Sequence, residues 1–137
     1  MVEKGIYAIL AGDHDVSTAV GTRIYPMLAP QKAALPYITF QRISANHIDC
    51  TTGSSGLCEA RIQVDCVAVG YLASRTLTEH VRDAMQGFTG VAGTIDIDII
   101  RLLDDRDGLQ EEIEGSEKVR FVVSSDFAVW FAEAIPV

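Results

Sequence analysis

The chain has 137 residues, 48% of them apolar and 22% charged, which suits one folded domain with a real core and excludes a disordered chain. Its net charge is −8 and no Lys/Arg patch is visible, so tight general binding to nucleic acid is excluded. No apolar run approaches the roughly 18 residues of a membrane span, and "MVEKGIYAIL" lacks the apolar stretch and cleavage site of a secretory signal.

In chain order, residues 2–12 read as a helix with Ile6, Ile9 and Leu10 on one face and Gly12 as its stop. "DHDVSTAV" follows, where Asp13 or Asp15 can cap a short helical turn that Gly21 ends. "TRIYP" is a brief edge strand, because Pro26 cannot donate to a ladder. Pro30 and Pro36 then frame a loop and push Ala29 and Leu35 toward extended backbone. "PYITFQRISANHID" reads as a long strand, and "LCEARIQVDCVAVG" alternates Ile62, Val64, Cys66 and Ala68 against Arg61, Gln63 and Asp65. A strand with one wet face suits an antiparallel sheet, and the Gly/Ser-rich turn between the two runs suggests a hairpin.

"YLASRTLTEHVRDAMQGF" is the clearest helix, with Leu77, Val81, Ala84, Met85 and Phe88 at helical spacing. "GTIDIDIIRLL" alternates Ile95, Ile97 and Ile99 against Asp96 and Asp98. Asp104 to Glu117 holds seven carboxylates and one arginine, and so carries −6 of the net −8; it reads as a long loop joining two strands and standing off the core. The last strand, "KVRFVVSSDFAVWFA", puts Phe121, Val123, Phe127, Val129 and Phe131 on one face and Arg120, Ser124, Asp126 and Trp130 on the other, with room for a bend at Ser124–Ser125. The expected architecture is a single α+β domain over residues 1–137, an antiparallel sheet packed on one side by two helices.

No chemistry assembles itself from the spacing. His14, His47 and His80 are scattered, with no partner at ligand distance in sequence. Cys50, Cys58 and Cys66 match no zinc pattern; Cys66 reads as a buried thiol, while Cys50 and Cys58 flank a turn across which they could approach. "GSSG" is not a nucleophile elbow, and there is no phosphate loop. In "LLDDRDGLQEEIE", Asp105, Asp107, Gly108 and Glu114 fall on calcium-loop positions, but Leu103 stands where the first carboxylate belongs, between strands instead of helices. Catalytic, cofactor and metal residues are therefore all read as none. What remains is exposed strand with an aromatic, Trp130, on a wet face and an edge held by Tyr25 and Pro26, features that invite partner chains.

The order of the pieces "VGTRIYP", "LPYITFQRIS", "ARIQVDC" and "SSDFAVWF" resembles the tail-completion family of long-tailed phages, which includes tail terminators. The resemblance runs from Ile6 to Phe131 and is strongest over Gly21–Pro26, Leu35–Ser44, Ala60–Cys66 and Asp126–Phe131. It implies a structural virion protein with no catalytic residues, formed in the host cytoplasm and built into the tail or neck. It also implies a homo-oligomeric ring, typically a hexamer, at the head-proximal end of the tail, in contact with the tail tube protein and the head connector or stopper. DNA would pass through that ring without specific binding. On that reading Tyr25, Pro26, Pro30, Pro36 and Trp130 are candidate subunit contacts. Asp104, Asp105, Asp107, Glu111, Glu112 and Glu114 would face the channel or a partner. Two alternatives stay open: another neck component such as a stopper ring, or a small metal-dependent enzyme using Asp96, Asp98 and Asp104–Asp107.

Overall fold

A computed structural model describes residues 2–50, 53–112 and 119–132, and the side chains of these except 46–50, 53–56 and 109–112. Helix α1 (Val2–Gly12) buries Val2, Gly5, Ile6, Ile9 and Leu10, the stripe expected of a 3.6-residue period. Gly5 lets the helix approach closely, since a Cβ there would stand 3.2 Å from the Cβ of Ile95. Helix α2 (His14–Val20) starts at Asp13, whose Oδ2 accepts from the Val16 N–H at 3.0 Å. It stops at Gly21, where φ is +59°, a backbone glycine adopts freely. Helix α3 (Tyr71–Met85) buries Leu77, Val81 and Met85, as its periodicity predicts, and also Ser74 and Thr78. Those two hydroxyls reach the core because carbonyls accept from them: Cys66 O from Ser74 Oγ at 2.8 Å, and Ser74 O from Thr78 Oγ1 at 2.9 Å.

Six strands form one sheet: β1 (Ile24–Pro26), β2 (Tyr37–Cys50), β3 (Gly53–Val69), β4 (Gly90–Ala92), β5 (Ile95–Glu112) and β6 (Val119–Ala132). Their order is β1-β2-β3-β6-β5-β4. The sheet is mixed. β1 runs parallel to β2, with Ile24 opposite Ile38, while every other pair is antiparallel. The expectation of a wholly antiparallel sheet with two helices is thus corrected to a mixed sheet with three. The reason is length: β1 is so short that residues 27–36 suffice to carry the chain back and start β2 in the same direction. The Leu35–Pro36 peptide within that return is cis.

Three further differences concern the C-terminal half. β4, too short to show an alternation, pairs with β5 across a two-residue turn in which Gly93 supplies a φ of +61°. β5 does not end at Leu103. It continues through Asp104 to Glu112, opposite Asp126 to Val119 of β6, so this part of the acidic segment is strand and not loop. Acidic residues are poor strand formers in isolation, and pairing with a central strand overrides that preference. Glu114 and Glu117 lie outside the described residues. Register shifts in β5 between Ile97 and Ile99 and between Leu102 and Asp104 each reverse the alternation. Ile97 and Ile100 are therefore the buried isoleucines, and Ile99 is only half-buried. No β-bulge interrupts β6 against β3 at Ser124–Ser125, where a bulge or bend had room: the two strands stay in register from Leu57 opposite Ala132 to Val69 opposite Arg120.

Residues of all three helices and of the sheet form one core, which includes Ile38, Phe40, Ile62, Val64, Cys66, Ile100, Phe127 and Val129; packing of the helices on one side is not a clear feature of this sheet. Burial pushes the Cys66 thiol up to about 12. Its folded pKa thus lies above the ordinary 9.0, so its contribution to stability is complete below pH 9 and is lost as pH rises toward 12. Maleimide treatment of native protein near pH 8 should leave Cys66 unmodified, and urea should expose it; peptide mass mapping reads both, and native labelling at Cys66 would refute its burial. Cys58 is opposite His47 in the ladder and Cys50 is opposite Gly53, so the two are not direct cross-strand partners. The side chain of Cys50 lies outside the described residues.

Candidate assembly surface

The Pro-framed segment is tied to the sheet by its backbone. The Met27 N–H donates to Phe40 O at 2.8 Å, extending the β1–β2 pairing, and Arg23 Nε donates to Pro36 O at 2.8 Å, joining the two ends of the loop. Between those ties Met27 and Lys32 hold left-handed φ angles of 67° and 68°, uncommon for side chains with a Cβ. Met27 is 68% and Leu28 83% exposed. These two large apolar side chains were absent from the contacts read in the sequence; the signal was there, an apolar pair set between two prolines where a loop would be polar. Pro26 and Pro30 are exposed beside them, while Pro36 is half-buried. Tyr25 turns to the other face, edge-on to Tyr37 with ring centres 6.1 Å apart.

That outer face is a polar grid built by register. Gln41, Gln63, Asp126 and Asp104 stand opposite one another across β2, β3, β6 and β5; Thr39, Asp65, Ser124 and Arg106 form the adjacent row. Asp126 has a side chain only 6% exposed, although it lies on the face away from the core. Long neighbours cover it: its Oδ2 accepts from Arg61 Nη2 at 2.7 Å and Arg106 Nη1 at 3.1 Å. Arg106 also donates to Gln63 Oε1 at 3.2 Å and touches Asp104 at 3.4 Å. Asp126, above all, holds the Arg106 guanidinium above its ordinary range. Trp130 shares this face, half-buried in the row of Glu59 and Ile99. Tyr25 aligns with the Thr39 row instead, so the structure does not bring Trp130 and the Pro-framed edge into one patch.

The acidic strand divides its charges. Asp104 faces the grid, whereas Asp105 and Asp107 face α3. There Arg75 Nη1 meets Asp105 Oδ1 at 3.3 Å and Nη2 meets Asp107 Oδ1 at 2.8 Å. Tyr71 Oη donates to Asp107 Oδ2 at 3.2 Å and accepts from Arg75 Nε at 3.1 Å, while its ring stands edge-on to Phe121. Tyr71 and the two aspartates hold Arg75 well above the usual guanidinium range. Glu111 and Glu112 lie opposite Arg120 and Val119 in the ladder. Asp104 thus points away from Asp105 and Asp107. No three His, Cys, Asp or Glu side chains gather to hold a cation among the described residues. Because these pairs are partly exposed, Arg75→Ala should cost only about 1 kcal/mol. Adding Asp105→Asn and Asp107→Asn should recover part of it by removing the uncompensated repulsion. Urea titrations check both, and a triple variant less stable than Arg75→Ala alone would refute the compensation.

The described residues form an α+β domain with a charged sheet face and an exposed apolar pair, Met27 and Leu28, in the loop after β1. The family model described as tail completion protein gp17 matches residues 4–124, and the chain belongs to that family of phage tail structural proteins. Among solved structures, a chain in the virion of a native gene transfer agent particle is similar at 17% identity with a TM-score of 0.70, covering 93% of this chain and 91% of that one. A second solved chain is 12% identical with a TM-score of 0.56, covering 100% of this chain and 99% of that one. At these identities the likeness is one of fold. No curated protein matches by sequence.

Proposed function

We propose that the protein is the tail terminator of a long-tailed particle: a ring, hexameric on the family pattern, that stops the tail tube at its head-proximal end and offers the head connector a surface. The observation carrying this reading is the family match over residues 4–124. The fold supports it: two long strand pairs, β2–β3 and β5–β6, and a polar sheet face give wide contact area. The protein thus belongs to the neck of the virion, with the tube protein and the connector or stopper as neighbours. Carboxylates of β5 that reach the lumen would repel DNA phosphates and let DNA slide, within a screening distance of about 8 Å at physiological salt. Deleting the gene and imaging the particles tests the role. Tubes of uncontrolled length with unattached heads are expected. Tubes of normal length that lack heads would assign the chain to the stopper position instead.

A further inference from the structure

We propose that Leu28 of one protomer, with Met27 beside it, seats in an apolar groove of the next protomer formed by α3, the end of β3 and the Pro36 turn. The proposal rests on the ring reading above and names its contact. The groove has a volume of about 420 Å³, and its apolar lining includes Ala19 of α2, Leu35, Pro36, Val69, Ala73 and Leu77. Val69 and Leu72 are themselves exposed at this end of β3 and the start of α3, Leu72 to 78%. An open apolar groove with exposed apolar side chains beside it marks an interaction site.

The occupant is argued from the chain itself. Leu28 is the most exposed large apolar side chain among the described residues. It is held out deliberately: the Met27 N–H is bonded to Phe40 O, the Leu28 N–H to Pro26 O at 2.8 Å, and Met27 sits at a φ of 67°. Such a backbone costs stability that a contact with another chain would justify. At 83% exposure Leu28 does not fill the groove of its own chain. A projecting apolar knob and an unfilled apolar groove on one chain are the two unlike patches of a heterologous contact, the kind that closes a ring. Charge agrees. Lys32 is the only charged residue from Ile24 to Gln41. On α3, next to the groove-lining Thr76 and His80, stand the exposed carboxylates Glu79 and Asp83, while Arg82 is turned to Gln86 at 2.9 Å.

The test uses full-length Leu28→Asp and Ala73→Arg, both at exposed positions, each first shown to melt like wild type. In sedimentation velocity over a wide concentration range, wild type is expected as a closed oligomer. Each variant should be a monomer, its association weakened at least tenfold. Mixed together they should form a 1:1 heterodimer and no ring, because the Ala73→Arg protein keeps its knob and the Leu28→Asp protein keeps its groove. Either variant retaining the wild-type oligomer, or a mixture that stays monomeric, would overturn the knob-in-groove contact while leaving the ring itself intact. A wild-type protein that is monomeric throughout, and monomeric in particles too, would instead remove the ring reading and this contact with it.

Discussion

Phe127→Ala is expected to cost about 3–5 kcal/mol of stability, the range for deleting a buried aromatic ring. Phe127 is fully buried on β6, the strand with long partners on both sides, and its cross-strand neighbours are Ile62 and Leu102. Ile62 is itself inaccessible and belongs to the same core as the residues of α1, α2 and α3. A void there is walled by two strands whose ladders cannot slide inward separately, so little of it will close. Since domains of this size have about 5–15 kcal/mol in hand, the variant should melt roughly 10 °C or more below wild type. Urea unfolding gives the number directly. A loss below about 1.5 kcal/mol would mean that the neighbourhood collapses into the void, and that the core is looser than its burial indicates. Leu102→Ala, at a half-buried neighbour, should cost distinctly less.

Most of the fold was legible because side-chain period and burial coincide. Ile62, Val64 and Cys66 alternate with Arg61, Gln63 and Asp65 in sequence, and β3 buries the first set and turns the second outward. Asp13 and Gly21 delimit α2 because their chemistry, an acceptor side chain and a free φ, acts locally. Features that depend on distant partners were not legible. The parallel course of β1 depends on how far residues 27–36 carry the chain. The phase of β5 changes at the register shift between Ile97 and Ile99, so the sequence alternation pointed to Ile99 where the core uses Ile100. Asp104–Glu112 read as loop because its own residues disfavour strand, whereas β6 supplies the pairing.

The positions of the candidate contact residues in the sheet were legible in part. Tyr25 and Pro26 do stand on an edge strand, and Trp130 does share a face with Ser124 and Asp126. Sequence spacing could not show that Trp130 lies away from that edge, nor that Arg75 on α3 gathers Asp105 and Asp107. It also gave Met27 and Leu28 no role, since loop residues are scored by their turns and not by what they display. Their exposure becomes informative only once the groove of Ala73 and Val69 is seen to be open.

Asp126→Ala should cost about 2 kcal/mol, more than any other single change on the polar face. The carboxylate is buried under Arg61 and Arg106, whose side chains remain 45% and 44% exposed. Breaking a fully buried pair costs about 3–5 kcal/mol because the remaining charge is stranded. Here both arginines can swing back into water, so the loss is smaller and consists mainly of charge-assisted hydrogen bonds. Oδ1 adds nothing to that sum, for it is buried without a hydrogen-bond partner among the described residues. The network nevertheless joins β3, β6 and β5 at one point, with Arg106 passing the connection on to Gln63. A double-mutant cycle separates the pairing from simple loss of packing. In an Arg61→Ala/Arg106→Ala background, Asp126→Ala should cost nothing or stabilise, because an unpaired buried carboxylate is then being removed. If it costs as much there as in wild type, the arginines are bystanders, and the buried position of Asp126 must be explained by the packing of β6 alone.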